Sequence, residues 1–417
     1  MLKEIILQAW DSLRRNPTRS LLTMLGIVWG IAAVTLLMAY GTGFRAVMMR
    51  TFNNFSKSAL IVFPGQTSMQ AGGERAGRRI RFELTDIEPV KADAPLVKEI
   101  CPELVQRPVV SYRDKSFSLQ VRAVCAEYGE IRSEIPIQGR WLSKDDEVER
   151  RRVVFLGDYS RKKLFGGRPP VGETIAIQGL RFTVVGYMDR KLSFGNYYGP
   201  DDRAMFIPYT TAGDMWNTRY PGNLVVQPVS ALFETQALEQ FRAAMARRKG
   251  FDPADKRALE AFGTTDIRPI IEGITTGLEW LLLLIGMLTL GIGGVGLMNI
   301  LLVSVSERTR EIGLRRALGA RRWHIAWQFL SEALALTAAG GLLGIALSYG
   351  IEALMPPMPM LGAIFNDTTG KGDLVLAIRF KTVATSAAVL LLIGVAGGMV
   401  PALRAVRLDP VEALRTE

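Results

Sequence analysis

SERTREIGLRRALGARR, residues 306–322, places six arginines, two glutamates and no lysine between two long apolar runs. Dense positive charge beside apolar sequence is a membrane pattern, because Lys and Arg in short loops are retained on the cytoplasmic side of a bilayer. The runs on either side, residues 278–303 and 325–349, each reach the roughly 20 residues that cross about 30 Å of hydrocarbon at about 1.5 Å per helical residue. Residues 20–40 and 383–400 meet the same test, the latter completed by Pro401 to Leu403. Four spanning helices follow, in keeping with a chain of 417 residues that is 48% hydrophobic.

Lys3, Arg14, Arg15 and Arg19 precede the first run. A secretory signal would be shorter in its apolar part and end in a small-residue cleavage site, so this run reads as a retained anchor. Six arginines lie between the second and third runs, and Arg404, Arg407 and Arg415 follow the fourth. The loop between the third and fourth holds only Lys371, Arg379 and Lys381. Both termini and the arginine loop are therefore expected to be cytoplasmic, with the long insert after the first span outside. The formal net charge of +11 is largely explained by this topology. Basic residues that flank spans also argue against a nucleic-acid partner.

The expected organisation is a cytoplasmic interfacial segment 1–19, spans 20–43, 278–303, 325–351 and 383–403, an extracytoplasmic domain 44–277, a cytoplasmic loop 304–324, an outer loop 352–382 and a cytoplasmic tail 404–417. Leu2, Ile5, Ile6, Ala9, Trp10 and Leu13 share one helical face opposite Lys3, Glu4, Gln8 and Asp11, which suits a helix lying on membrane lipid. An ordinary core-facing helix is the alternative. The outer segment reads as α+β: a strand over 58–64, a helix over 85–100 and a strand over 108–112, then near its far end a strand over 223–227, a helix over 231–248 and a strand over 265–268. Two strand-helix-strand units at opposite ends predict one subdomain built from both, with a β-rich insert over about residues 113–222. Short strands are expected there over 118–124, 152–156, 173–177, 181–187 and 204–207. Cys101 and Cys125, both in the outer segment, have the option of a disulfide, but a sequence separation of 24 leaves the geometry open.

The central thirds of the four runs contain no Asp, Glu, Lys, Arg or His, whereas ion-coupled transporters generally place such residues there. Glu332 lies nearer one end of the third run, either as a contact to another helix or loop or as a snorkelled carboxylate. Gly26 and Gly30, Gly340 and Gly344, and Gly394 and Gly398 form small-residue pairs four apart, expected to serve helix packing within the chain or between copies. GIGGVG at 291–296 matches a dinucleotide fingerprint in letters only, because no strand precedes it. No phosphate-binding GxxxxGK[ST] loop exists, and His324 is the sole histidine. The chain is expected to be no enzyme, with no cofactor or metal site of its own.

SERTREIGLRRALGARRWHI with QFLSEALAL resembles the cytoplasmic loop and third helix of the MacB/FtsX-like permeases, the membrane subunits of type VII ABC transporters. NPTRSLLTMLGIVWGIAAV is similar to that family's first helix, VVFLGDYSRKKLFGGRPPVGETIAIQGLRFTVVGY with FIPYTTA to its outer-domain core, and PALRAVRLDPVEALR to its C-terminal signature. The resemblance runs through nearly the whole chain. It implies four transmembrane helices with a periplasmic porter-like subdomain and a β-rich insert, set in the cell inner membrane. It also implies a second permease copy, as a homodimer or paired heterodimer, and a separate cytoplasmic ABC ATPase subunit that binds ATP and Mg. The implied activity is export of periplasmic substrates by mechanotransmission, with a periplasmic adaptor and an outer-membrane duct as further partners.

Within the loop, Glu311 is spaced to pair with Arg315 and Glu307 with Arg310, while Arg308 and Ile312 lie between them. Gly319 is placed to stop the helix, and Gly313 to bend it. Leu314, Ala317 and Leu318 offer an apolar face to an ATPase groove. Asp409, Pro410, Glu412 and Ala413 are expected to form a second short helix on the same partner, with Asp409 as N-cap and Pro410 in its first turn. A different class of function fits the same sequence: an ATPase-driven regulator of a periplasmic cell-wall hydrolase or sensor that transports nothing. A membrane-anchored binding module with no ATPase is a third.

Overall fold

The computed structural model describes residues 17–54, 59–71, 73, 75–194, 197–365, 369–409 and 413. The helix expected over 2–13, Pro410 and Glu412 lie outside the described residues. The chain divides into two compact units: Met1–Val47, Gly273–Asn366 and Asp373–Glu417 in one, and Met48–Glu272 with Asp367–Gly372 in the other.

The first unit is built on the helices Pro17–Asn53, Thr264–Glu307, Arg322–Leu354 and Phe380–Arg407, each long and apolar enough to cross a membrane. Ile27, Ile31 and Val34 of the first pack against Leu290, Leu297 and Leu301 of the second, Ala333 of the third, and Val389 and Leu390 of the fourth. Glycines bring these helices close. A Cβ on Gly344 would collide with Ile31, and one on Gly340 would stand 2.8 Å from Ile27 Cγ2. Gly30 lies against Leu290, Gly26 against Gly293, Gly394 against Thr337 and Gly398 against Ala333. All six singled-out glycines therefore lie against helices of their own chain. The GIGGVG segment packs likewise, through Gly293 on Gly26 and Gly294 on Ile393. The buried hydroxyls of Thr337 and Ser348 bond to their own helix, to the Ala333 carbonyl (2.7 Å) and to that of Gly344 (2.8 Å), so these two bring no unpaired polar group into the bundle.

Among the described residues the second unit contains twelve strands: β1 Leu60–Pro64, β2 Val97–Gln106, β3 Val109–Tyr112, β4 Lys115–Ser118, β5 Gln120–Val124, β6 Pro136–Gly139, β7 Val153–Leu156, β8 Thr174–Ile177, β9 Leu180–Met188, β10 Ala204–Pro208, β11 Asn223–Pro228 and β12 Leu259–Phe262. Four of them, from the two ends of the segment, pair antiparallel in the order β12-β1-β11-β2. Counted along the chain this is fourth-first-third-second, the split β-α-β arrangement. Helices Ile87–Asp93 and Glu234–Lys249 cover it through Val90, Ala237, Phe241 and Met245. The remaining strands continue as β5-β10-β7-β9-β8-β3-β4, with β6 on β9. The long β2 joins the two parts, pairing with β11 over its first half and with β5 through Leu104, Val105 and Gln106. Cys101 on β2 is disulfide-bonded to Cys125, one residue past β5, with Cα atoms 5.5 Å apart.

Three local expectations change. The helix expected over 85–100 stops at Asp93, before Pro95, and β2 already begins at Val97; proline disfavours helical geometry in its predecessor. The last strand lies at Leu259–Phe262, not 265–268, where the second spanning helix already starts. That start is fixed by Glu234, whose carboxylate accepts from Thr264 Oγ1 and from the Thr265 backbone N–H (2.8 Å). Strands β4 and β6 and the helix Asp158–Phe165 were not anticipated.

Candidate coupling site

The second spanning helix ends where hydroxyls compete for its last carbonyls: Ser306 Oγ donates to Val303 O (2.7 Å) and Thr309 Oγ1 to Ser306 O (2.8 Å). The chain turns at Arg308 (φ −102°, ψ 15°) and re-enters a helix over Thr309–Ala317. Gly313 is buried inside that helix, so the bend expected there falls at Arg308 instead. Glu311 lies in the first turn and Arg315 and Arg316 in the last, each favourable to the helix dipole. Gly319, at φ +93°, ends the helix: its N–H donates to Arg316 O (3.1 Å) and that of Ala320 to Arg315 O (3.0 Å). These two bonds make a complete Schellman motif.

Three spanning helices hold this element. Ile312 is 5% exposed and packs with Val305 of the second, Ile325 and Phe329 of the third, and Ala402 and Ala405 of the fourth. Arg308 pairs with Glu332 on the third (3.5 Å). Arg315 donates to Gln328 Oε1 (2.9 Å), and Arg316 to the carbonyls of Val406 (3.0 Å) and Leu408. The expected pairs Glu311–Arg315 and Glu307–Arg310 do not form. At exposed positions such a pair is worth under about 1 kcal/mol, and Arg315 is drawn to Gln328 instead. Leu314, Ala317 and Leu318 face outward, with Leu318 80% exposed. Asp409 is exposed, Ala413 is buried, and the Ala413 N–H donates to Asp409 O (2.9 Å).

The outer unit holds a second polar constellation that sequence reading missed. Glu103 of β2, Arg122 of β5, Arg132, Glu134 and Asp201 are all buried. Asp201 accepts from Arg122 (2.9 Å), Arg132 (2.9 Å) and Lys191 (3.0 Å). Glu103 accepts from Tyr128 (3.1 Å), Asn223 (2.7 Å) and Tyr197. Burial works to raise the Asp201 carboxyl, but Arg132, Lys191 and Arg122 together hold it well below the usual carboxylate range. Glu134 is pushed up to about 7 by burial, against the pull of Lys191. Three carboxylates face three cations where β2 passes between the two parts of the sheet. The sequence signal is Arg122, flanked by Val121 and Ala123 within β5. Among the described residues no cluster of His, Cys, Asp or Glu has the makings of a metal site.

Residues 20–247 match the family described as MacB-like periplasmic core domain, and residues 283–410 match FtsX-like permease C-terminal. The macrolide export ATP-binding/permease protein MacB of Bdellovibrio bacteriovorus is 32% identical over 411 residues, 98% of this chain and 61% of that protein. The protein of the same name from Bordetella avium is 33% identical over 417 residues, 99% of this chain and 60% of that protein. The chain thus spans about three fifths of the length of these relatives. The crystal structure of the periplasmic region of MacB from Actinobacillus actinomycetemcomitans aligns at a TM-score of 0.43 and 18% identity, covering 54% of this chain and 97% of that one. With an outer domain and a membrane part matched in this order, the chain belongs to the MacB/FtsX-like family of ABC transporter permeases.

Proposed function

We propose that this chain is the permease of an inner-membrane ABC exporter, and that the helix Thr309–Ala317 is the element a cytoplasmic ATPase grips. The observation that carries this is the two-sided build of that helix. One side is fixed to three spanning helices through Ile312, Arg308, Arg315 and Arg316, while Leu314 and Leu318 are left exposed. A push on the exposed side has no slack to take up before it reaches the bundle. The apolar, glycine-packed bundle, with no charge in its central thirds, favours mechanical transmission to the outer domain over a polar path through the bilayer. In this account both termini are cytoplasmic, the permease works as a pair, and ATP and Mg bind on the ATPase. A periplasmic adaptor and an outer-membrane duct complete the route for periplasmic substrates.

The test is co-purification from detergent. Wild type carries the ATPase with it, and Leu314→Asp/Leu318→Asp loses it without loss of folded permease. Retention of the ATPase by the double variant refutes the assignment. Charge reversal at Glu311, exposed in the first turn of the helix, weakens association more mildly.

A further inference from the structure

Arg321, Arg322, Trp323 and Trp327 stand together where the third spanning helix begins. The helix runs Arg322–Leu354 and is apolar enough to cross a bilayer from this end. Trp323 and Trp327 are one turn apart, and their rings stack with centroids 5.9 Å apart and planes at 21°. They are 68% and 48% exposed. Both arginines are exposed as well, and neither pairs with a carboxylate among the described residues. Glu332, further along the same helix, is engaged by Arg308.

We infer that this corner binds the headgroup of an anionic phospholipid. An indole has an apolar body and a polar N–H, so it settles where acyl chains meet headgroups. Two stacked indoles make a rigid wall at that depth. The guanidiniums, within one turn of Trp323, supply positive charge where a lipid phosphate would lie. Trp29 and Trp280 show what is special here. They are equally exposed, at 62% and 67%, but neither has an arginine beside it in sequence or a ring stacked on it among the described residues. They are expected to meet lipid without preference for its charge. The inference rests on the third helix spanning the membrane and is independent of the coupling role proposed for residues 309–317.

The experiment uses the full chain in lipid nanodiscs and reads quenching of tryptophan fluorescence by brominated lipid. Bromine is placed on phosphatidylglycerol in one sample and on phosphatidylcholine in another, at equal content. The signal of the pair is the difference between wild type and Trp323→Phe/Trp327→Phe. Expected is about a tenfold preference of the pair for phosphatidylglycerol. Arg321→Gln/Arg322→Gln abolishes the preference while leaving quenching by brominated phosphatidylcholine unchanged, and added inorganic phosphate does not compete. Equal quenching by the two lipids, or a preference that survives the double glutamine variant, overturns the inference. So does quenching of the pair by aqueous iodide alone, which would leave this corner to a protein partner.

Discussion

Replacing Ile312 with alanine should detach the helix Thr309–Ala317 from the bundle without unfolding anything else. Ile312 is 5% exposed, within a cluster supplied by three spanning helices. Removing a buried aliphatic side chain of this size costs about 2–5 kcal/mol. The lower part of that range, about 2–3 kcal/mol, applies because Val406 and Leu408 beside the cluster are only partly buried. A nine-residue helix is shorter than the roughly 12–15 residues that hold together alone in water. The loss therefore falls on the attachment of this helix. It corresponds to an opening equilibrium raised roughly 30- to 150-fold. Hydrogen exchange on the chain in nanodiscs reads this directly: amides of residues 309–317 should exchange at least about 30-fold faster in Ile312→Ala, with the outer-domain strands unchanged. Leu314→Ala, at a 52% exposed position, should leave exchange in the isolated chain unaltered. Acceleration below about threefold at Ile312→Ala, or an equal acceleration throughout the bundle, would refute the idea that Ile312 fastens this helix.

Other consequences follow from the same contacts. Asp201→Asn leaves Arg122, Arg132 and Lys191 short of a buried counter-charge, and should destabilise the outer domain by about 3–5 kcal/mol in urea unfolding. Glu147 is raised from 4.5 to about 7, chiefly by burial and then by Glu127. A carboxyl raised in the folded state contributes stability that is present below its unfolded value and lost as pH rises through the folded one. Glu147→Gln should therefore gain thermal stability over wild type at pH 8 and show little gain at pH 4. Gly344→Val forces a side chain into Ile31 and the Val28 carbonyl, so the first and third helices should separate, at about 1–3 kcal/mol. Cysteine cross-linking between these helices would report it.

The spanning helices were legible because bilayer thickness turns length and apolarity into a near-sufficient rule. Gly319 as a helix stop was legible for the same kind of reason, since a left-handed residue strongly favours glycine. The interleaved β12-β1-β11-β2 sheet could be anticipated in outline from strand-helix-strand order, but not its boundaries. Pro95 marks the end of the helix Ile87–Asp93. The start of the second spanning helix depends on Glu234, some thirty residues earlier, and such tertiary capping has no local signature. In the candidate site, the exposed Leu314, Ala317 and Leu318 could be read from helical spacing. The partners of the arginines could not, because i,i+3 and i,i+4 pairing within one helix was the only rule at hand while the real acceptors lie on other helices. The charge network around Asp201 was hidden for a related reason: its members come from five separate stretches, and a strand residue such as Arg122 reads as solvent-facing until its partners are placed.

The central claim is that ATP-driven motion enters through residues 309–317 and reaches the outer domain through the helices that hold them. Its most direct measurement is the distance between spin labels on the outer domains of the two permease copies, with and without ATP, in the ATPase-bound assembly. Wild type should change its distance distribution on ATP addition, and Ile312→Ala should retain the ATPase yet lose most of that change. A wild-type assembly whose outer domains do not respond to ATP, or an Ile312→Ala assembly that responds in full, would contradict the account.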